Sequence, residues 1–406
     1  MERIDTDVLV AGAGPAGLAA ACLFAAEGLA VLCIDAAAPP VEGPGADLRT
    51  AALLRPSVEA LERSGAWRHL EAEAAPLWTM RLIDAGGPEE PPVARETADF
   101  VATEIQELPF GWNLPNVTIR QGLLARLGEF ARARLRMSSG LVRLTCRETE
   151  AVALLADGTS VRARLVVAAD GRDSEARRLA GMEARRWGYG QKAIVFAVSH
   201  PLPHEGVSTE IHRTGGPFTL VPLPDGPDGT HRSAVVWMDR GPWVERLAGW
   251  ARARAAEFDT ALNDRSCGVL GRLTLASPVA VWPIVSQLAP RLDGPRVALM
   301  GEAAHVVPPI GAQGLNMSIA DAAALAGMVG EAARAGADIG APALLARYHR
   351  ARWPEMAARV AGVDALNRAA MAEAQTLRDL RRRGLETLHR LRPVRRAAMR
   401  LGMGAR

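Results

Sequence analysis

A glycine-rich turn near the amino terminus constrains the fold of this 406-residue chain more than any other segment. An apolar run at 7–11 predicts a short strand, and it is followed by the turn Gly12-Ala13-Gly14-Pro15-Ala16-Gly17. An alanine-rich segment up to Glu27 then predicts a helix, and residues 30–34 predict a second strand. In this strand, turn, helix and strand order, a G-x-G-x-x-G motif binds a dinucleotide. A purely structural glycine-rich turn is the alternative.

Each glycine of this turn has a separate task. Gly12 permits the tight turn, Gly14 lets the backbone approach a pyrophosphate, and Gly17 lets the helix pack closely on the strand. The helix amino terminus offers free N–H groups and a positive dipole end to phosphate. A carboxylate at the end of the second strand can accept hydrogen bonds from ribose hydroxyls. The predicted dinucleotide contacts are Gly12, Gly14, Pro15, Ala16, Gly17 and Asp35.

Two further apolar strands are predicted, and each is followed by a short motif that contains glycine and an acidic residue. Residues 160–169 end at Asp170-Gly171, and residues 296–300 end at Gly301-Glu302-Ala303-Ala304-His305. The second is followed by a glycine-rich loop at 308–316 and a long alanine-rich helix. A flexible loop that feeds a helix amino terminus can point N–H groups at the anionic edge of a ring.

With these three motifs, the sequence resembles the single-component FAD-dependent aromatic hydroxylases, the class A flavoprotein monooxygenases typified by para-hydroxybenzoate hydroxylase. The signatures of that family match here at Gly12, Asp170 and Gly301, in the same order. The resemblance implies FAD as cofactor, NAD(P)H as a transient reductant and O₂ as co-substrate. Within the family, the hydroxylases of ubiquinone biosynthesis are most similar, on the stretches 48–53, 110–116, 187–191, 308–316 and 399–404.

The resemblance also assigns cofactor contacts. Glu302 stands where the family usually has Asp, which keeps the charge and adds a methylene. Arg49 and Arg120 match positions where the family places arginines beside FAD, although each fits an ordinary surface position equally well. His305 is a candidate for orienting flavin or substrate, with a locally satisfied histidine as the alternative; no side chain is assigned as an obligatory acid or base. The remaining implied contacts are Asp170, Gly171, Gly301, Pro308, Gly311, Gly314, Leu315 and Asn316.

The expected architecture is α/β, with a Rossmann-like FAD-binding domain interleaved with a β-sheet substrate domain. Residues 1–77, 111–185 and 286–340 are assigned to the FAD-binding domain, and 78–110 and 186–285 to the substrate domain. Strands are predicted at 193–198, 207–212, 218–221 and 233–238, between proline and glycine turns. Residues 341–406 are expected to form a helical region with a basic amphipathic tail.

Apolar residues near the predicted substrate sheet are candidates for the pocket wall, with ordinary sheet core as the alternative. They are Phe218, Leu220, Trp237, Met238, Trp282, Pro283 and Ile284. The chain has two tyrosines, Tyr189 and Tyr348, which argues against a buried relay of phenol groups. Such an apolar site suits a lipid-like phenol or quinol better than a soluble benzoate.

Charge is concentrated in the tail. Between 376 and 406 the chain has ten arginines and two acidic residues, a net charge of +8, whereas the whole chain carries +3. Leucines at 377, 380, 388 and 391 recur near the helical period. This stripe either packs on the FAD-binding domain or forms a basic amphipathic surface for anionic lipid or a partner enzyme of ubiquinone synthesis. Nothing in the sequence indicates a nucleic-acid partner.

Two other patterns exclude functions. Prolines between His200 and His204 prevent a helical metal pair, so no metal site is predicted. The uncharged run at 8–26 contains three glycines and a proline and follows acidic residues, unlike a signal peptide or membrane span. We therefore expect a cytoplasmic protein, with the tail as a candidate contact to the inner face of the cytoplasmic membrane.

These observations predict an FAD-dependent monooxygenase that hydroxylates an electron-rich aromatic ring, with a polyprenyl phenol of ubiquinone biosynthesis as the expected substrate. A hydroxylase or epoxidase that tailors another aromatic or polyene is the nearest alternative. A flavin halogenase is a weaker one, because residues 280–284 match its signature only faintly. A flavin-binding member of a biosynthetic complex without turnover is the alternative from a different class.

Overall fold

The computed structural model describes residues 2–40, 46–87, 89–372 and 374–403, so the last residue of the 399–404 stretch and the end of the tail lie outside the described residues. The strands are β1 (Arg3–Ala11), β2 (Val31–Ile34), β3 (Thr50–Leu54), β4 (Ala75–Leu77), β5 (Thr79–Asp84), β6 (Glu96–Val101), β7 (Gly111–Pro115), β8 (Ala133–Arg136), β9 (Leu141–Cys146), β10 (Ala151–Leu155), β11 (Ser160–Ala168), β12 (Arg185–His200), β13 (Val207–His212), β14 (Pro217–Leu223), β15 (His231–Arg240), β16 (Thr274–Leu275), β17 (Ala280–Leu288), β18 (Asp293–Gly294), β19 (Val297–Leu299) and β20 (His305–Val306). The α-helices are α1 (Pro15–Ala26), α2 (Arg55–Arg63), α3 (Asn116–Gly128), α4 (Glu175–Leu179), α5 (Gly241–Ala253), α6 (Ala255–Ser266), α7 (Gln313–Arg334), α8 (Pro342–Ala370), α9 (Gln375–Arg390) and α10 (Arg392–Met403).

The first sheet carries the glycine-rich turn. Its path runs β18-β19-β11-β1-β2-β8, and the strands from β19 to β8 are parallel. Strand β2 is buried at every position, as expected for a parallel strand covered on both faces. Helix α1 is apolar on all sides because it lies between this sheet and helices α3 and α7.

The second sheet is mainly antiparallel. Its path runs β20-β17-β12-β15-β14-β13-β5-β6, with β16 beside β12 and one parallel pair, β13 with β5. One face packs against α5 and α6 in a separate apolar core. These two helices were not among the elements predicted from the sequence. Strands β3, β7 and β4 form a small third sheet, in that order.

The carboxyl-terminal region is helical, and the predicted α/β class is confirmed. Helix α8 packs on α7, and α9 packs on strand β6 of the second sheet. The apolar contact there is made by Leu385, Leu388 and Met399 against Phe100 and Phe110. The tail therefore packs on the second sheet rather than on the dinucleotide-binding sheet. No helix in the described ranges combines the length and apolarity needed to cross a membrane.

Candidate active site

A cavity of about 810 Å³ lies where the three sheets meet. Its wall is built from segments far apart in the sequence, including the ends of β1, β2 and β11 and one face of the second sheet. The predicted site residues that line it are Gly12, Gly14, Pro15, Ala16, Asp35, Arg49, Asp170, Gly171, Glu302, Pro308, Gly311, Gly314, Leu315, Trp282, Pro283 and Ile284. The tertiary structure thus brings the three sequence motifs to one chamber.

The glycine-rich turn forms a cradle at one end of this cavity. Gly12 has a φ of +104°, and a Cβ there would lie 2.3 Å from the carbonyl oxygen of Ala169. A Cβ on Gly17 would lie 1.9 Å from the carbonyl oxygen of Gly12, so Gly17 stays beneath the turn and outside the lining. By contrast, a Cβ on Gly14 would meet no protein atom within 4 Å and would enter the cavity.

The amino terminus of α1 is suited to an anion. Helix α1 has no side-chain cap and no acidic residue in its first turn, so its N–H groups remain available. Asp35 lies beside them, and its two carboxylate oxygens accept hydrogen bonds from the backbone N–H groups of Ala13 (2.7 Å) and Ala37 (2.9 Å). These bonds fix the carboxylate and leave lone pairs for a ribose hydroxyl.

Asp170 shapes the turn that follows β11. Its carboxylate accepts hydrogen bonds from the Ser174 hydroxyl and from the backbone N–H of Ala176 at 2.8 Å. Burial raises the pKa of Asp170, although these hydrogen bonds oppose the shift. Gly171 follows with a φ of +86° and lines the cavity. Asp170 therefore holds the turn while Gly171 presents backbone to the ligand.

The two predicted arginines have different positions. Arg49 lines the cavity, forms a bidentate pair with Asp47 (2.8 and 2.7 Å) and lies 4.5 Å from the ring centroid of Trp282. Burial disfavours the Asp47 carboxylate, but the bonds from Arg49 hold its pKa below the ordinary value. Arg120 lies outside the lining and donates to the carbonyls of Ala13 (3.3 Å) and Pro39 (3.1 Å). Arg120 thus braces the glycine-rich turn from behind.

The third motif rests on a buried ionic network. Glu302 lines the cavity, but His305 lies behind it, with Nε2 at 2.8 Å from Oδ2 of Asp321. Asp321 is fully buried and also accepts from Nε of Arg352 (2.9 Å) and from the backbone N–H of Gly301 (3.2 Å). Of the two roles considered for His305, its placement favours a local structural one. Gly301 is likewise outside the lining and is held against α7 by Asp321.

The glycine-rich loop leads into the amino terminus of α7. Gly311 and Ala312 both adopt the left-handed conformation, with φ of +63° and +56°. Helix α7 has no side-chain cap and no acidic residue in its first turn, and this turn lines the cavity. Asn316 does not line it. Its carboxamide accepts from the N–H of Leu54 (2.8 Å) and donates to the carbonyl of Ala52 (2.7 Å), which fixes α7 to β3.

The structure corrects the predicted substrate wall. Side chains alternate along a strand, so the residues of β14 that line the cavity are Thr219 and Val221. Phe218 and Leu220 point to the opposite face, where they pack with Trp237 in the core beneath α5 and α6. Bulky apolar side chains on that face fill the core between the sheet and the two helices, whereas the smaller side chains on the cavity face leave room for a ligand. The other predicted residues divide: Ile284 lines the cavity beside Trp282 and Pro283, and Met238 does not.

The sequence reasoning missed a polar strip in this wall. Ser208, Glu210 and Thr219 line the cavity among mainly apolar neighbours such as Leu77, Met80, Phe110, Val221 and Val236. Ser208 and Glu210 are two residues apart on β13, and Glu210 is directly opposite Thr219 on β14. The alternation along β13 was visible in the sequence, but nothing local indicated which face meets the cavity.

The donor set fits FAD. Two uncapped helix amino termini face one chamber, a ribose-binding carboxylate lies beside the first, and Gly14 leaves open space where phosphate would approach. The same chamber continues along an apolar sheet face. This fold and this site define a flavoprotein of the FAD-dependent monooxygenase class.

Comparisons with known proteins agree with that class. A family model described as an FAD binding domain matches residues 5–363. The ubiquinone hydroxylase UbiL of Rhodospirillum rubrum is 36% identical over 400 residues, covering 98% of this chain and 89% of that protein. The 3-demethoxyubiquinol 3-hydroxylase of Escherichia coli is 26% identical over 408 residues, covering 100% of each. PqsL, a probable FAD-dependent monooxygenase from Pseudomonas aeruginosa, has a TM-score of 0.76 at 21% identity, covering 94% of this chain and 100% of that one. The chain belongs to the FAD binding domain family.

Proposed function

We propose that this chain hydroxylates the aromatic ring of a polyprenylated phenol or quinol in ubiquinone biosynthesis, using FAD and O₂. The observation that carries the proposal is one continuous cavity, in which the cradle for the cofactor opens directly onto an apolar wall. The names of the two curated relatives, both hydroxylases of ubiquinone or its precursor, support the choice of substrate.

The chain contributes binding, orientation and exclusion of water. When bound, FAD supplies the redox chemistry by accepting a hydride from NAD(P)H and activating O₂. Gly14 and the amino terminus of α1 would hold its pyrophosphate, and Asp35 its ribose. The uncapped first turn of α7 would favour negative charge on a reduced ring. NAD(P)H is proposed as a transient donor because the sequence has one G-x-G-x-x-G motif and not two.

The apolar wall favours a lipid-like substrate. Leu77, Met80, Phe110, Val221 and Val236 line the chamber beyond the cradle. Burial of a prenyl chain against such surface is favourable by roughly 25 cal/mol per Å² of apolar area, whereas a soluble benzoate would leave its carboxylate poorly solvated there. The wall therefore supports a prenylated ring over a small charged one.

We further propose that the chain associates peripherally with the inner face of the cytoplasmic membrane, through α9 and α10. Three of the four leucines in the predicted apolar stripe do not pack on the protein: Leu377, Leu380 and Leu391 are 53%, 65% and 50% exposed. Helix α9 instead packs through Leu385 and Leu388. An exposed leucine stripe on a helix with high positive charge fits an anionic bilayer surface.

Polar contacts fix this helical hairpin in place with its stripe outward. Arg95 bridges Asp84 (2.7 Å) and Asp379 (2.8 Å), and Arg395 pairs with Glu104 at 2.6 Å. Met80 and Phe110, which line the cavity, also belong to the apolar cluster that α9 and α10 cover. One side of the hairpin therefore covers the wall of the substrate chamber, and its other side carries the exposed leucines. This arrangement would hold the chamber next to a membrane, which supports delivery of a lipid-like substrate from that membrane.

The test is oxidation of NADPH by the FAD-loaded protein, with and without a phenol that carries a short prenyl chain, followed by mass spectrometry of the product. We expect the phenol to stimulate oxidation and to gain one oxygen atom from O₂. Quinone intermediates in a deletion strain should accumulate at the same step. A protein that binds FAD but shows neither stimulation nor oxygen insertion would instead be a non-catalytic member of a complex.

A further inference from the structure

One carboxylate lies on the substrate face of the cavity. Glu210 is 9% exposed and lines the chamber from β13. The other ionisable lining residues among those that the structure describes lie outside the second sheet, on the cofactor side: Asp35, Arg49, Asp170, Arg172, Asp173, Glu175 and Glu302. Glu210 is therefore placed to contact a substrate rather than the cofactor.

His212 gives Glu210 a partner. The two residues are separated by one position on β13 and share a face, with Nε2 of His212 at 2.7 Å from Oε1 of Glu210. Within the described ranges, the second oxygen, Oε2, accepts no hydrogen bond from the protein. Glu210 lines the cavity beside Ser208 and Thr219, so this oxygen is available to a hydrogen-bond donor on a ligand.

We propose that Glu210 accepts a hydrogen bond from a free hydroxyl of the substrate ring, with His212 orienting the carboxylate and with Ser208 and Thr219 flanking it. This rests on the proposed function, because it takes the ligand to be a phenol or quinol. The consequence is specificity. Glu210 Oε2 is proposed as the acceptor, and a ring whose hydroxyl is replaced by a methyl ether offers it no donor.

The contribution is large enough to measure. A hydrogen bond to a charged group discriminates by about tenfold to a hundredfold between a ligand that makes it and one that cannot. The apolar prenyl chain contributes equally to both ligands, so the ratio of their affinities isolates the ring hydroxyl.

The experiment measures binding to the full-length, FAD-loaded protein without NAD(P)H. The probes are a phenol with a short prenyl chain and its methyl ether. Their binding is measured by calorimetry or by the change in flavin absorbance. We expect the wild type to prefer the phenol by about tenfold to a hundredfold. Glu210→Leu should bring the ratio close to one without loss of FAD, and His212→Phe should lower it part of the way. Glu245→Leu, at a surface ion pair with Lys192, is the matched control and should keep the preference.

Two results would overturn the inference: equal affinity of the wild type for phenol and ether, or a preference that survives Glu210→Leu. Glu210→Asp should restore part of the preference, which a merely structural role would not predict. The binding assay involves no turnover. A Glu210-dependent preference in a protein that inserts no oxygen would support this inference and overturn the proposed function.

Discussion

Gly14 lines the cavity at the position proposed for the cofactor pyrophosphate, and a side chain added there would meet no protein atom. Gly14→Val should abolish FAD retention because the new side chain enters the cavity where phosphate would approach, and it should leave the fold intact because no protein atom lies within 4 Å. Flavin absorbance after gel filtration is the measurement. Gly249→Val, on the exposed face of α5 with equally open surroundings, is the control and should retain FAD. Wild-type flavin content in Gly14→Val would show that the cradle is not the pyrophosphate site.

Asp321 is the buried group on which the third motif depends. Asp321→Asn should destabilise the protein by about 3–5 kcal/mol, because Arg352 and His305 lose the partner that makes their burial tolerable. Denaturant unfolding gives the free energy, and Asp259→Asn at an exposed pair with Arg272 should change it by less than about 1 kcal/mol. A loss no larger than in that control would mean that the network contributes little.

The wild type and Asp321→Asn also test how the free energy of unfolding depends on pH. Burial alone would raise the pKa of Asp321, but His305 and Arg352 hold it below its ordinary value. A carboxyl with a lowered pKa in the folded state stabilises the protein above its unfolded-state pKa, and this contribution is lost as the pH falls through the folded-state value. We expect the stability difference between wild type and Asp321→Asn to be constant near neutral pH and to narrow below about pH 4. A difference that grows on acidification would contradict the assignment.

Among the helices, α7 is the one whose amino terminus is proposed to act on the cofactor ring. Gly314→Val should place a branched side chain over the uncapped first turn, lowering the flavin reduction potential and slowing hydroxylation by an effect of roughly 2.7–4 kcal/mol. Redox titration measures the potential, with circular dichroism as the check on folding. A folded variant with unchanged potential and turnover would place the ring elsewhere.

Helix α9 has a packed face and an exposed face that can be changed separately. Leu377→Ser with Leu380→Ser should weaken binding to vesicles of phosphatidylcholine and phosphatidylglycerol by about tenfold, because each removes apolar surface that is exposed in the protein. Arg383→Glu with Arg396→Glu should weaken it further and reduce its salt dependence. Vesicle sedimentation is the measurement, and FAD content should not change.

The control for that series lies on the first sheet. Arg134→Glu with Arg143→Glu changes two exposed arginines outside the tail and should leave vesicle binding nearly unaltered. Point variants are preferable to deletion of the tail, since deletion would expose Phe100 and Phe110. Equal vesicle binding by all variants would assign the stripe to a protein partner or to no partner.

For the molecule as a whole, FAD should act as a part of the core. The cavity is walled by all three sheets, so removal of the cofactor should lower the free energy of unfolding and loosen their contact. At a free FAD concentration a hundredfold above the dissociation constant, the ligand stabilises the folded state by about 2.7 kcal/mol. Thermal unfolding of apo and FAD-loaded protein measures this. Added FAD should not shift the melting temperature of Gly14→Val, and an apo protein as stable as the holo form would contradict the prediction.

The sequence by itself determined the class of fold and the FAD family, and it named most of the residues of the glycine-rich turn that line the cavity. This was possible because the requirements there are local: a positive φ at Gly12, a close approach at Gly14 and free N–H groups at a helix start are all encoded within a few consecutive residues. Asp35 was also predictable from local sequence, because it is the first residue after the buried strand β2.

Only the tertiary structure decided which side chains face the cavity and which side of the tail is exposed. Phe218 and Leu220 were candidates for the pocket wall, with sheet core as the alternative. The unpredicted helices α5 and α6 cover the face of the sheet on which they lie, so Thr219, on the other face, lines the cavity. Likewise, the leucines of the stripe were visible in the sequence, but packing through Leu385 and Leu388 and ion pairs with distant residues decide that the other stripe leucines are exposed. Periodicity defines two faces of a strand or helix, and contacts between segments remote in sequence determine which of the two is buried.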